Sequence, residues 1–396
     1  MRKVYLDYSA TTPVAKAVLD EMMPYFSEKF GNANSMHAFG QEGAYAVDEA
    51  RRKIADLLKV KPTEIYFTSG GTEADNWALK GIAHAKKEQG KHIITSKIEH
   101  AAILSSCAQL EQDGFRVTYL PVDKNGIVNP EDLEAAIDDD TTLVSIMTAN
   151  NEIGSIQPIK ELCAIAHRHG ALFHTDAVQA MGSIPVDVHD LGVDMMSFSG
   201  HKFYGPKGIG VLYIKSGIKP DKLIAGGHQE RTRRGGATPI PTNVPAVVGI
   251  AKALEIAITD LDKNYKHVKE IRDYFVSEIE KRIPYVIYNG DRERRLPQNA
   301  NFAFEFIEGE SLLLTLDLHG IACSSGSACS SGSLEPSHVL LATGLPVERA
   351  HGSIRFSFGK NTSKEDVDYV IENVVSAVEK LRNMSPLYAE FMGGKK

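Results

Sequence analysis

Short apolar segments alternate with amphipathic segments through the first two-thirds of the chain. Most of the apolar segments are apolar throughout, which is typical of strands that are covered on both faces. The segments predicted as strands are 64–69, 92–96, 116–122, 143–149, 171–177, 195–199 and 210–215. The segments predicted as helices include 72–90, 130–139 and 159–170. This alternation predicts an α/β fold in which a mostly parallel seven-stranded sheet is flanked by helices.

The pattern changes after a long segment, 244–283, that is predicted to be helical. Beyond it lie the β-rich stretches NFAFEF and SIRFSFG, a run of serine and glycine that holds two cysteines, and a closing helix from about residue 363 to 382. We therefore place a domain change near residue 260. Residues 14–260 are predicted to form a large domain, and residues 1–13 and 261–396 a smaller α+β domain.

The composition is that of an ordinary soluble globular protein, with 396 residues of which 43% are apolar and 24% charged. The net charge of −7 comes from scattered charges, and the RTRR run at 231–234 is the one local basic cluster. This distribution argues against a nucleic-acid surface, which needs a clustered basic face. We expect no membrane span and no signal peptide, because no apolar run approaches the roughly 18 residues that a span needs. Four unpatterned cysteines indicate no disulfide framework, so a reducing cytoplasm is the expected location.

Residues that follow the predicted strands are the first candidates for a site, because ligands of open α/β sheets bind beyond the carboxyl ends of the strands. The first strand is followed by SGGTEADN, in which Gly71 and Thr72 begin a helix. The N–H groups at such a helix start favour a phosphate. A tight turn capped by Thr72 explains the same residues, so this stretch alone leaves both interpretations open. It matches neither a P-loop nor a dinucleotide fingerprint.

Two further strand ends carry an acid and an amine. Asp176 follows an apolar strand, where a carboxylate is costly unless a protonated ring nitrogen meets it. Lys202 follows another strand, and a buried lysine suits Schiff-base chemistry. Each residue alone is compatible with an ordinary turn. Together with the phosphate turn they indicate pyridoxal 5′-phosphate, with His100 stacking on its ring and Asn151 and Gln179 hydrogen-bonding the ring substituents.

Nine motifs occur in order between about residue 4 and residue 388: YLDYSATTP, FTSGGTEADN, IEHAA, NNEIG, DAVQ, SFSGHKFYGPKG, SSGSACSS, LEPSHVL and SIRFSFG. In this combination the sequence resembles the class I cysteine desulfurases, which are pyridoxal-phosphate enzymes of iron–sulfur cluster assembly. The resemblance implies a fold-type I pyridoxal-phosphate enzyme that acts as a homodimer. It also implies that the large domain binds the cofactor and that the small domain carries a mobile cysteine loop at about 323–335.

The resemblance also implies a role for each motif residue. Lys202 would be the Schiff-base lysine and the catalytic base, Asp176 the partner of the pyridine nitrogen, and His100 the stacking group and a candidate acid. Arg355 would hold the substrate carboxylate with help from Asn151, although a strand-edge ion pair explains Arg355 alone as well. The remaining implied cofactor ligands are Asn151 and Gln179 at the ring substituents, and Gly71, Thr72, Ser199 and His201 at the phosphate.

Cys329 lies in the serine- and glycine-rich run and matches the nucleophilic cysteine of the resembled family. A flexible setting suits a thiol that must reach the substrate sulfur and then carry it away. The resemblance implies no resident metal, and it leaves open a transient role for Cys329 as an iron–sulfur cluster ligand. Cys323, six residues earlier, ends an apolar stretch and is expected to face the core.

Two departures from the family pattern affect the expectations. The stretch RRGGATPIPTNVP carries a short insertion, so either Thr238 or Thr242 would reach the phosphate across the dimer. The nearby basic cluster at 231–234 would line the mouth of the anionic cofactor site. The tail SPLYAEFMGGKK is shorter than in some relatives, which puts acceptor docking at the tail in doubt.

The expected activity is removal of sulfur from L-cysteine, which gives L-alanine and a persulfide on Cys329. The persulfide sulfur would pass to an iron–sulfur scaffold protein or another acceptor. A selenocysteine lyase, or another pyridoxal-phosphate lyase or aminotransferase, is the alternative within this enzyme class. A non-catalytic sulfur or metal scaffold is the alternative outside it, but such a scaffold has no need of Lys202, Asp176 and the Gly71–Thr72 turn together.

Overall fold

A seven-stranded sheet organises the larger part of the structure, a computed structural model that describes residues 2–224, 242–325 and 336–394. The strands are β1 (Val4–Tyr5), β2 (Ile65–Thr68), β3 (His92–Ser96), β4 (Arg116–Leu120), β5 (Thr141–Ser145), β6 (Leu172–Asp176), β7 (Met195–Ser199), β8 (Gly210–Ile214), β9 (Val286–Asn289), β10 (Asn299–Phe304), β11 (Ile321–Ala322), β12 (Ser324–Ser325) and β13 (Ser353–Ser357). The helices are α1 (Lys16–Met22), α2 (Pro24–Ser27), α3 (Ala38–Leu58), α4 (Gly71–Lys86), α5 (Ala101–Gln112), α6 (Pro130–Ala136), α7 (Ile159–Arg168), α8 (Val188–Leu191), α9 (Val244–Thr259), α10 (Leu261–Arg282), α11 (Gly309–Asp317), α12 (His338–Ala342), α13 (Val347–Ala350), α14 (Lys364–Met384) and α15 (Pro386–Gly393).

The large sheet has the strand order β2-β8-β7-β6-β5-β3-β4. Strand β8 runs antiparallel to both of its neighbours, and the other neighbouring pairs are parallel. The seven predicted strands are the seven strands of this sheet, so the mostly parallel α/β fold is confirmed. The carboxyl ends of the parallel strands share one edge, which brings the residues after β2, β3, β5, β6 and β7 to the same end of the sheet.

Two apolar layers cover the two faces of this sheet. One layer packs α3 and α9 onto it, with buried residues such as Ile54, Phe198 and Leu254. The other packs α4 and α5, with Trp77 and Leu110 in its centre. Because both faces are covered, β2, β3, β5, β7 and β8 are buried along their whole length. This burial on both faces explains why these strands are continuously apolar in the sequence.

The segment 244–283, predicted to be helical, forms two helices that meet at Asp260. Asp260 ends α9 and begins α10, and its φ of −92° and ψ of 6° are not helical. The break lets α9 and α10 pack against different apolar cores. Helix α9 is buried along most of its length against the large sheet, whereas α10 buries only one stripe, which includes Phe275 and Ile279.

A four-stranded antiparallel sheet of order β12-β13-β10-β9 lies beside a separate apolar cluster. Phe275 packs there against Phe302 and Phe356, at ring-centroid distances of 6.1 and 4.9 Å. Leu6, from the start of the chain, is fully buried in the same cluster. The division of the chain into 14–260 and 1–13 with 261–396 stays a prediction. Among the described helices, none has the length and apolar character that crossing a membrane requires.

Candidate active site

A cavity of about 320 Å³ lies at the carboxyl-end edge of the large sheet. It brings together most of the site residues that the sequence predicts, and these come from five strand ends and from β13. The predicted residues that line it are Gly71, Thr72, His100, Asn151, Asp176, Gln179, Ser199, His201, Lys202 and Arg355. Ser9, Ala10 and Asp75 line the same cavity and were not predicted.

The start of α4 forms one end of the cavity. Gly71 is the first residue of this helix, and a Cβ atom at Gly71 would lie only 2.8 Å from Val178 Cγ2. A Cβ atom at Gly210 on β8 would lie 2.7 Å from the Gly70 carbonyl carbon. Glycine at both positions therefore lets the strand and the helix start approach closely. The first N–H groups of α4 have no partner within the helix, which makes this end suitable for an anion.

Two polar residues from the end of β7 face the same part of the cavity. The Ser199 hydroxyl donates to the Ile209 carbonyl at 3.3 Å. His201 lies in the short 3₁₀ turn that follows β7, with its Nδ1 atom 3.2 Å from Thr11 Oγ1. Burial, with the neighbouring positive charge of Lys202, lowers the pKa of His201 to about 4. His201 is therefore neutral near pH 7 and can act as a hydrogen-bonding group.

Asp176 ends β6 and is buried. One of its carboxyl oxygens, Oδ1, accepts a hydrogen bond from the Val178 N–H at 2.8 Å. Burial raises the pKa of Asp176, and the nearby His100 and Lys202 oppose that rise. A buried carboxylate in this position suits a cationic group on a ligand, as a protonated ring nitrogen would be.

His100 precedes Asp176 in the sequence and follows β3. Gln179 comes after Asp176 and follows β6. His100 caps the N-terminus of α5, where its Nδ1 atom accepts from the Ala102 N–H at 3.1 Å. This bond leaves Nε2 as the nitrogen that carries a proton in the neutral ring. The Gln179 amide donates to the Ser9 carbonyl at 3.0 Å.

Lys202 ends the 3₁₀ turn after β7 and reaches back to the N-terminal segment. Its Nζ atom donates to the carbonyl oxygens of Ser9 at 2.6 Å and Ala10 at 2.9 Å. Ser9 and Ala10, in the motif YSATT, therefore form part of the cavity wall. The sequence analysis quoted this motif but gave Ser9 and Ala10 no role, since backbone acceptors leave no signal in the side-chain pattern.

Arg355, on β13, is almost completely buried, with 2% exposure. Its Nη1 atom donates to the Asn151 carbonyl and its Nη2 atom to Asp7 Oδ1, both at 2.9 Å. Its Nε atom has no hydrogen-bond partner in the part of the chain that the structure describes. Arg355 thus forms an ion pair with Asp7 and also lines the cavity.

Three buried carboxyl groups near the cavity were missed by the sequence analysis: Asp75, Glu99 and Glu152. Burial raises the pKa of Glu99 to about 8 and that of Glu152 to about 7. Glu99 accepts from the Ser96 hydroxyl at 2.6 Å, and Glu152 from the Ser337 hydroxyl at 2.5 Å. All three lie within quoted motifs, but their burial depends on tertiary packing and leaves no signal in the sequence pattern.

Some predicted residues do not meet at the cavity. Thr242 precedes α9, where its carbonyl accepts from the Val244 N–H at 2.8 Å, and it is not among the residues that line the cavity. Thr238 and Cys329 lie outside the described residues. Cys323 packs against the apolar cluster of the small sheet, and burial raises the pKa of its thiol to about 12.

The donor set of the cavity fits pyridoxal 5′-phosphate. Ser9 Oγ, Asp75 Oδ1 and Arg355 Nε are buried polar atoms that have no hydrogen-bond partner among the described residues, and all three residues line the cavity. Such atoms are rare in native proteins unless a ligand or water meets them. The helix start suits the phosphate, Asp176 suits the ring nitrogen, and Lys202 supplies the amine that the aldehyde requires.

Comparison with known proteins agrees with this geometry. The family description "Aminotransferase class-V" matches residues 4–370. Cysteine desulfurase IscS of Dictyoglomus turgidum is 55% identical over 395 residues, which cover 100% of this chain and 99% of the relative. A solved NifS-like protein has a TM-score of 0.90 at 40% identity, with coverage of 96% of this chain and 100% of that one. The solved structure of SspA in complex with cysteine has a TM-score of 0.78 at 37% identity, with coverage of 91% and 99%.

The match extends over nearly the whole chain in sequence and in structure, and it includes the strands and loops that form the cavity. The chain therefore belongs to the class-V aminotransferase family and, within it, to the pyridoxal-phosphate-dependent cysteine desulfurases.

Proposed function

We propose that this chain removes sulfur from L-cysteine, releases L-alanine and retains the sulfur as a persulfide on Cys329. The observation that carries the proposal is the meeting of Lys202, Asp176 and the start of α4 at one cavity. The 55% identity to a cysteine desulfurase over the full length of both chains supports it. SspA, a structural relative, is described in complex with cysteine, which supports the substrate class.

The phosphate of the cofactor is assigned to the start of α4. Gly71 and Thr72 offer backbone N–H groups there, and the helix dipole favours a negative charge at that end. Ser199 and His201 face the same region and add neutral hydrogen-bonding groups. These four residues would hold the cofactor by its most highly charged group and so fix the position of its ring.

The ring itself is assigned to Asp176, His100, Gln179 and Asn151. When bound, pyridoxal phosphate supplies an electron sink for the carbanion that forms at the substrate α-carbon. Asp176 would keep the ring nitrogen protonated, because burial makes its charge effective over a short distance. His100 would stack on the ring, and the Gln179 and Asn151 side chains would orient the ring substituents.

Lys202 is assigned the proton transfer at the substrate α-carbon. In its free form the amine is held by the carbonyl oxygens of Ser9 and Ala10, at 2.6 and 2.9 Å. These two acceptors stabilise the ammonium form, so they give the proton a defined place after its transfer. Lys202 would therefore remain within the cavity throughout the reaction.

Sulfur transfer is assigned to Cys329 by resemblance, since this residue lies outside the described residues. The thiolate attacks the substrate sulfur, a sulfur–sulfur bond forms, and the carbon–sulfur bond breaks with its electron pair going to carbon. A proton delivered to that β-carbon by an acid such as His100, and the return of a proton to the α-carbon from Lys202, complete L-alanine. Arg355, whose Nε atom has no hydrogen-bond partner within residues 2–224, 242–325 and 336–394, would bind the substrate carboxylate near Asn151.

A homodimer is the form in which we expect the enzyme to work, with an iron–sulfur scaffold protein or another protein as sulfur acceptor in the cytoplasm. The first 45 residues present several large apolar side chains to solvent, an arrangement that marks interaction surfaces. The most exposed of these are Met23, Phe26, Phe30, Met36 and Tyr45. A second copy of the chain is the occupant we propose for this surface.

The direct test is a turnover assay of the purified protein with L-cysteine and a reductant. Equal amounts of alanine and sulfide are expected, together with a yellow cofactor colour that borohydride removes. The same assay with L-selenocysteine in place of L-cysteine measures the turnover of the alternative substrate. Faster turnover of selenocysteine than of cysteine, or transfer of the amino group to a keto acid, would overturn the proposal.

A further inference from the structure

Ser337 lies eight residues after Cys329 in the sequence and bonds to a wall of the cavity. Its hydroxyl donates to Glu152 Oε2 at 2.5 Å and accepts from the Leu340 N–H at 3.2 Å. Ser337 is 3% exposed and Glu152 is 4% exposed, so this bond is shielded from water. Glu152 directly follows Asn151, which lines the cavity. The bond therefore holds the start of α12 beside a cavity-lining residue.

The next residue, His338, makes a second contact with the cavity wall. Its Nε2 atom donates to the Glu99 carbonyl oxygen at 3.1 Å, and Glu99 directly precedes the cavity-lining His100. Burial lowers the pKa of His338, so the ring is neutral near pH 7. Because a carbonyl oxygen only accepts, the neutral ring carries its proton on Nε2. Two consecutive residues thus bind the two segments that follow β3 and β5.

Apolar packing holds α12 in the same place. Val339 and Leu340 are almost completely buried, and they form one cluster with Ile98, Met147 and Ile153. These three partners lie in the segments that follow β3 and β5. Helix α12 therefore packs against the edge of the large sheet at which the cavity lies.

The other end of the segment that contains Cys329 is also held beside the cavity. Ser324, on β12, pairs with Arg355 of β13, and its hydroxyl donates to Asp7 Oδ1 at 2.8 Å. Arg355 donates to the same Asp7 oxygen and to the Asn151 carbonyl, both at 2.9 Å. A continuous series of bonded residues therefore joins the two ends of the segment: Ser324, Asp7, Arg355, Asn151, Glu152 and Ser337.

The two anchored ends limit the positions that Cys329, which lies outside the described residues, can reach. It is four residues from Ser325 and eight from Ser337. A fully extended chain spans about 3.5 Å per residue, so the Cys329 Cα atom is within about 14 Å of the first Cα atom and about 28 Å of the second. Closing a segment at both ends raises the local concentration of its middle residue near those ends. Both ends lie beside Arg355, the residue proposed for the substrate carboxylate.

We propose that Ser337 and Glu152 are positioning residues whose hydrogen bond holds the C-terminal end of the Cys329 segment at the cavity. Their function is to keep the Cys329 thiol close to the substrate sulfur beside Arg355. They act through the chain between Ser337 and Cys329 and take no part in the chemical steps. The inference rests on the proposed function, because it takes Cys329 as the residue that accepts the sulfur.

Amide hydrogen exchange of the holoenzyme, measured by mass spectrometry, tests the anchor without an activity assay. Ser337→Ala removes the bond to Glu152 and the cap of α12, so the amides of residues 338–345 should exchange about tenfold faster. Ser337→Thr keeps the hydroxyl and should restore the slower exchange. Unchanged exchange in Ser337→Ala would overturn the proposal, because the bond would then hold nothing in place.

Single-turnover kinetics test the positioning role. At saturating cysteine, the rate of alanine formation by Ser337→Ala should fall about tenfold, because the anchored arrangement is less populated. The dissociation constant for cysteine, measured from the cofactor spectrum, should not change, since Arg355 keeps its contacts with Asp7 and Asn151. Ser337→Thr should recover most of the rate. An unchanged rate at saturation in Ser337→Ala would overturn the proposal, whatever its affinity for cysteine.

Glu152→Gln tests the partner of Ser337. The glutamine amide oxygen accepts from the Ser337 hydroxyl as the carboxyl oxygen does, so this variant should keep the rate of alanine formation of the unchanged protein. Adding Ser337→Ala to it should cause the same tenfold loss. A loss of that size in Glu152→Gln alone would show that the charge of Glu152, and not the bond, is required, and the proposal would be wrong.

Ser363→Ala is the matched control, because Ser363 caps α14 with the same two kinds of bond. Its hydroxyl donates to Asp366 Oδ2 at 2.9 Å and accepts from the Asp366 N–H at 3.1 Å. This variant should lose unfolding free energy as Ser337→Ala does, but it should keep the exchange of residues 338–345 and the rate of alanine formation. An equal loss of rate in Ser363→Ala would show that lower stability alone slows the reaction, and this result would overturn the positioning role.

These measurements separate the inference from the proposed function. If the unchanged protein formed no alanine from cysteine, the proposed function would be wrong, and the positioning role would be wrong with it. If the unchanged protein and Ser337→Ala formed alanine at the same rate, the proposed function would stand and the inference alone would be wrong.

Discussion

Asp7 Oδ1 accepts a hydrogen bond from Arg355 Nη2 at 2.9 Å and another from the Ser324 hydroxyl at 2.8 Å. One carboxylate near the N-terminus therefore joins β13 to β12, across more than 300 residues of chain. Arg355 is 2% exposed and Asp7 is 17% exposed, so the pair is largely shielded from water. Because Arg355 lines the cavity, the N-terminal segment helps to place the residue proposed for substrate binding.

Asp7→Ala should destabilise the protein and weaken substrate binding. Removing one partner of a buried ion pair leaves an unpaired charge and costs about 3 kcal/mol. Urea unfolding measures this loss. The KM for cysteine should rise because Arg355 loses the bond that orients it, whereas cofactor content should not change.

The matched control is Asp20→Ala, which removes a surface ion pair. Lys16 Nζ lies 2.8 Å from Asp20, but both side chains are more than half exposed. Such pairs contribute about 0–1 kcal/mol, so this variant should unfold almost as the unchanged protein does. If the two variants lost the same free energy of unfolding, the buried Asp7–Arg355 pair would stabilise the protein no more than the surface pair does.

The seven strands of the large sheet were predictable because each is a short apolar run between helical segments. The break at Asp260 was not, because α9 and α10 join without a proline or glycine and only their burial differs. Helical periodicity is the same on both sides of Asp260. Which core each half faces depends on packing with residues far away in the sequence.

The side chains at the strand ends were predictable because the residues that follow parallel strands lie at the same edge of the sheet. Backbone acceptors such as the Ser9 carbonyl were not, since any residue type supplies a carbonyl. The Asp7–Arg355 pair and the buried position of Asp75 depend on long-range packing, which leaves no periodic signal.

Lys202→Ala should abolish turnover and the visible colour of the cofactor. Lys202 is the lysine that lines the cavity within the described residues, so no other described amine would replace it. Absorbance spectra and alanine assays measure both effects. Lys207→Ala is the control, because Lys207 is exposed and its Nζ atom lies 3.4 Å from the Thr12 carbonyl in the same region. A coloured, active Lys202→Ala protein would contradict the cofactor assignment.

Cys329→Ser should bind the cofactor and cysteine but release almost no alanine or sulfide, because the nucleophile is lost. Cys323→Ala should be nearly normal, since burial keeps the Cys323 thiol protonated and its side chain packs against the small-sheet cluster. Spectral changes on addition of cysteine measure binding, and alanine release measures turnover. Equal loss of turnover in the two variants would show that the two thiols act together.

Glu99→Gln should flatten the pH dependence of stability between pH 5 and 8. Burial raises the pKa of Glu99 in the folded protein from 4.5 to about 8. The folded state therefore holds a proton that the unfolded state releases, and stability falls as the pH rises through this interval. The glutamine variant lacks this proton, so its unfolding free energy should change less steeply, by up to about 1.4 kcal/mol per pH unit.

Glu372→Gln is the control for this pH series. Glu372 is exposed, and its hydrogen bond from Arg282 lowers its pKa, so its titration lies below the interval. This variant should keep the slope of the unchanged protein between pH 5 and 8. Urea unfolding at several pH values gives the slopes, and an unaltered slope in Glu99→Gln would show that Glu99 is ionised in the folded protein.

Thr238→Ala and Thr242→Ala should differ in cofactor affinity if one threonine reaches the phosphate of the neighbouring subunit. A lost hydrogen bond to a charged group costs about 1.5–3 kcal/mol. This corresponds to a roughly tenfold to hundredfold weaker cofactor affinity. Titration of the cofactor-free variants with pyridoxal phosphate identifies which threonine is the ligand. Equal affinities for both variants would contradict a threonine contact across the dimer.

The threonine variant that loses affinity can then be mixed with Lys202→Ala under conditions that exchange subunits. In a heterodimer with shared sites, one site contains both defects and the other contains neither, because each site takes its lysine and its threonine from different chains. Activity at limiting cofactor should therefore return on mixing, although each parent is inactive or nearly empty. Lys207→Ala mixed with Lys202→Ala controls for recovery that needs no shared site, since there the recovered activity should equal that of the Lys207→Ala chains alone. If heterodimers form and no activity returns, each site is built from a single chain.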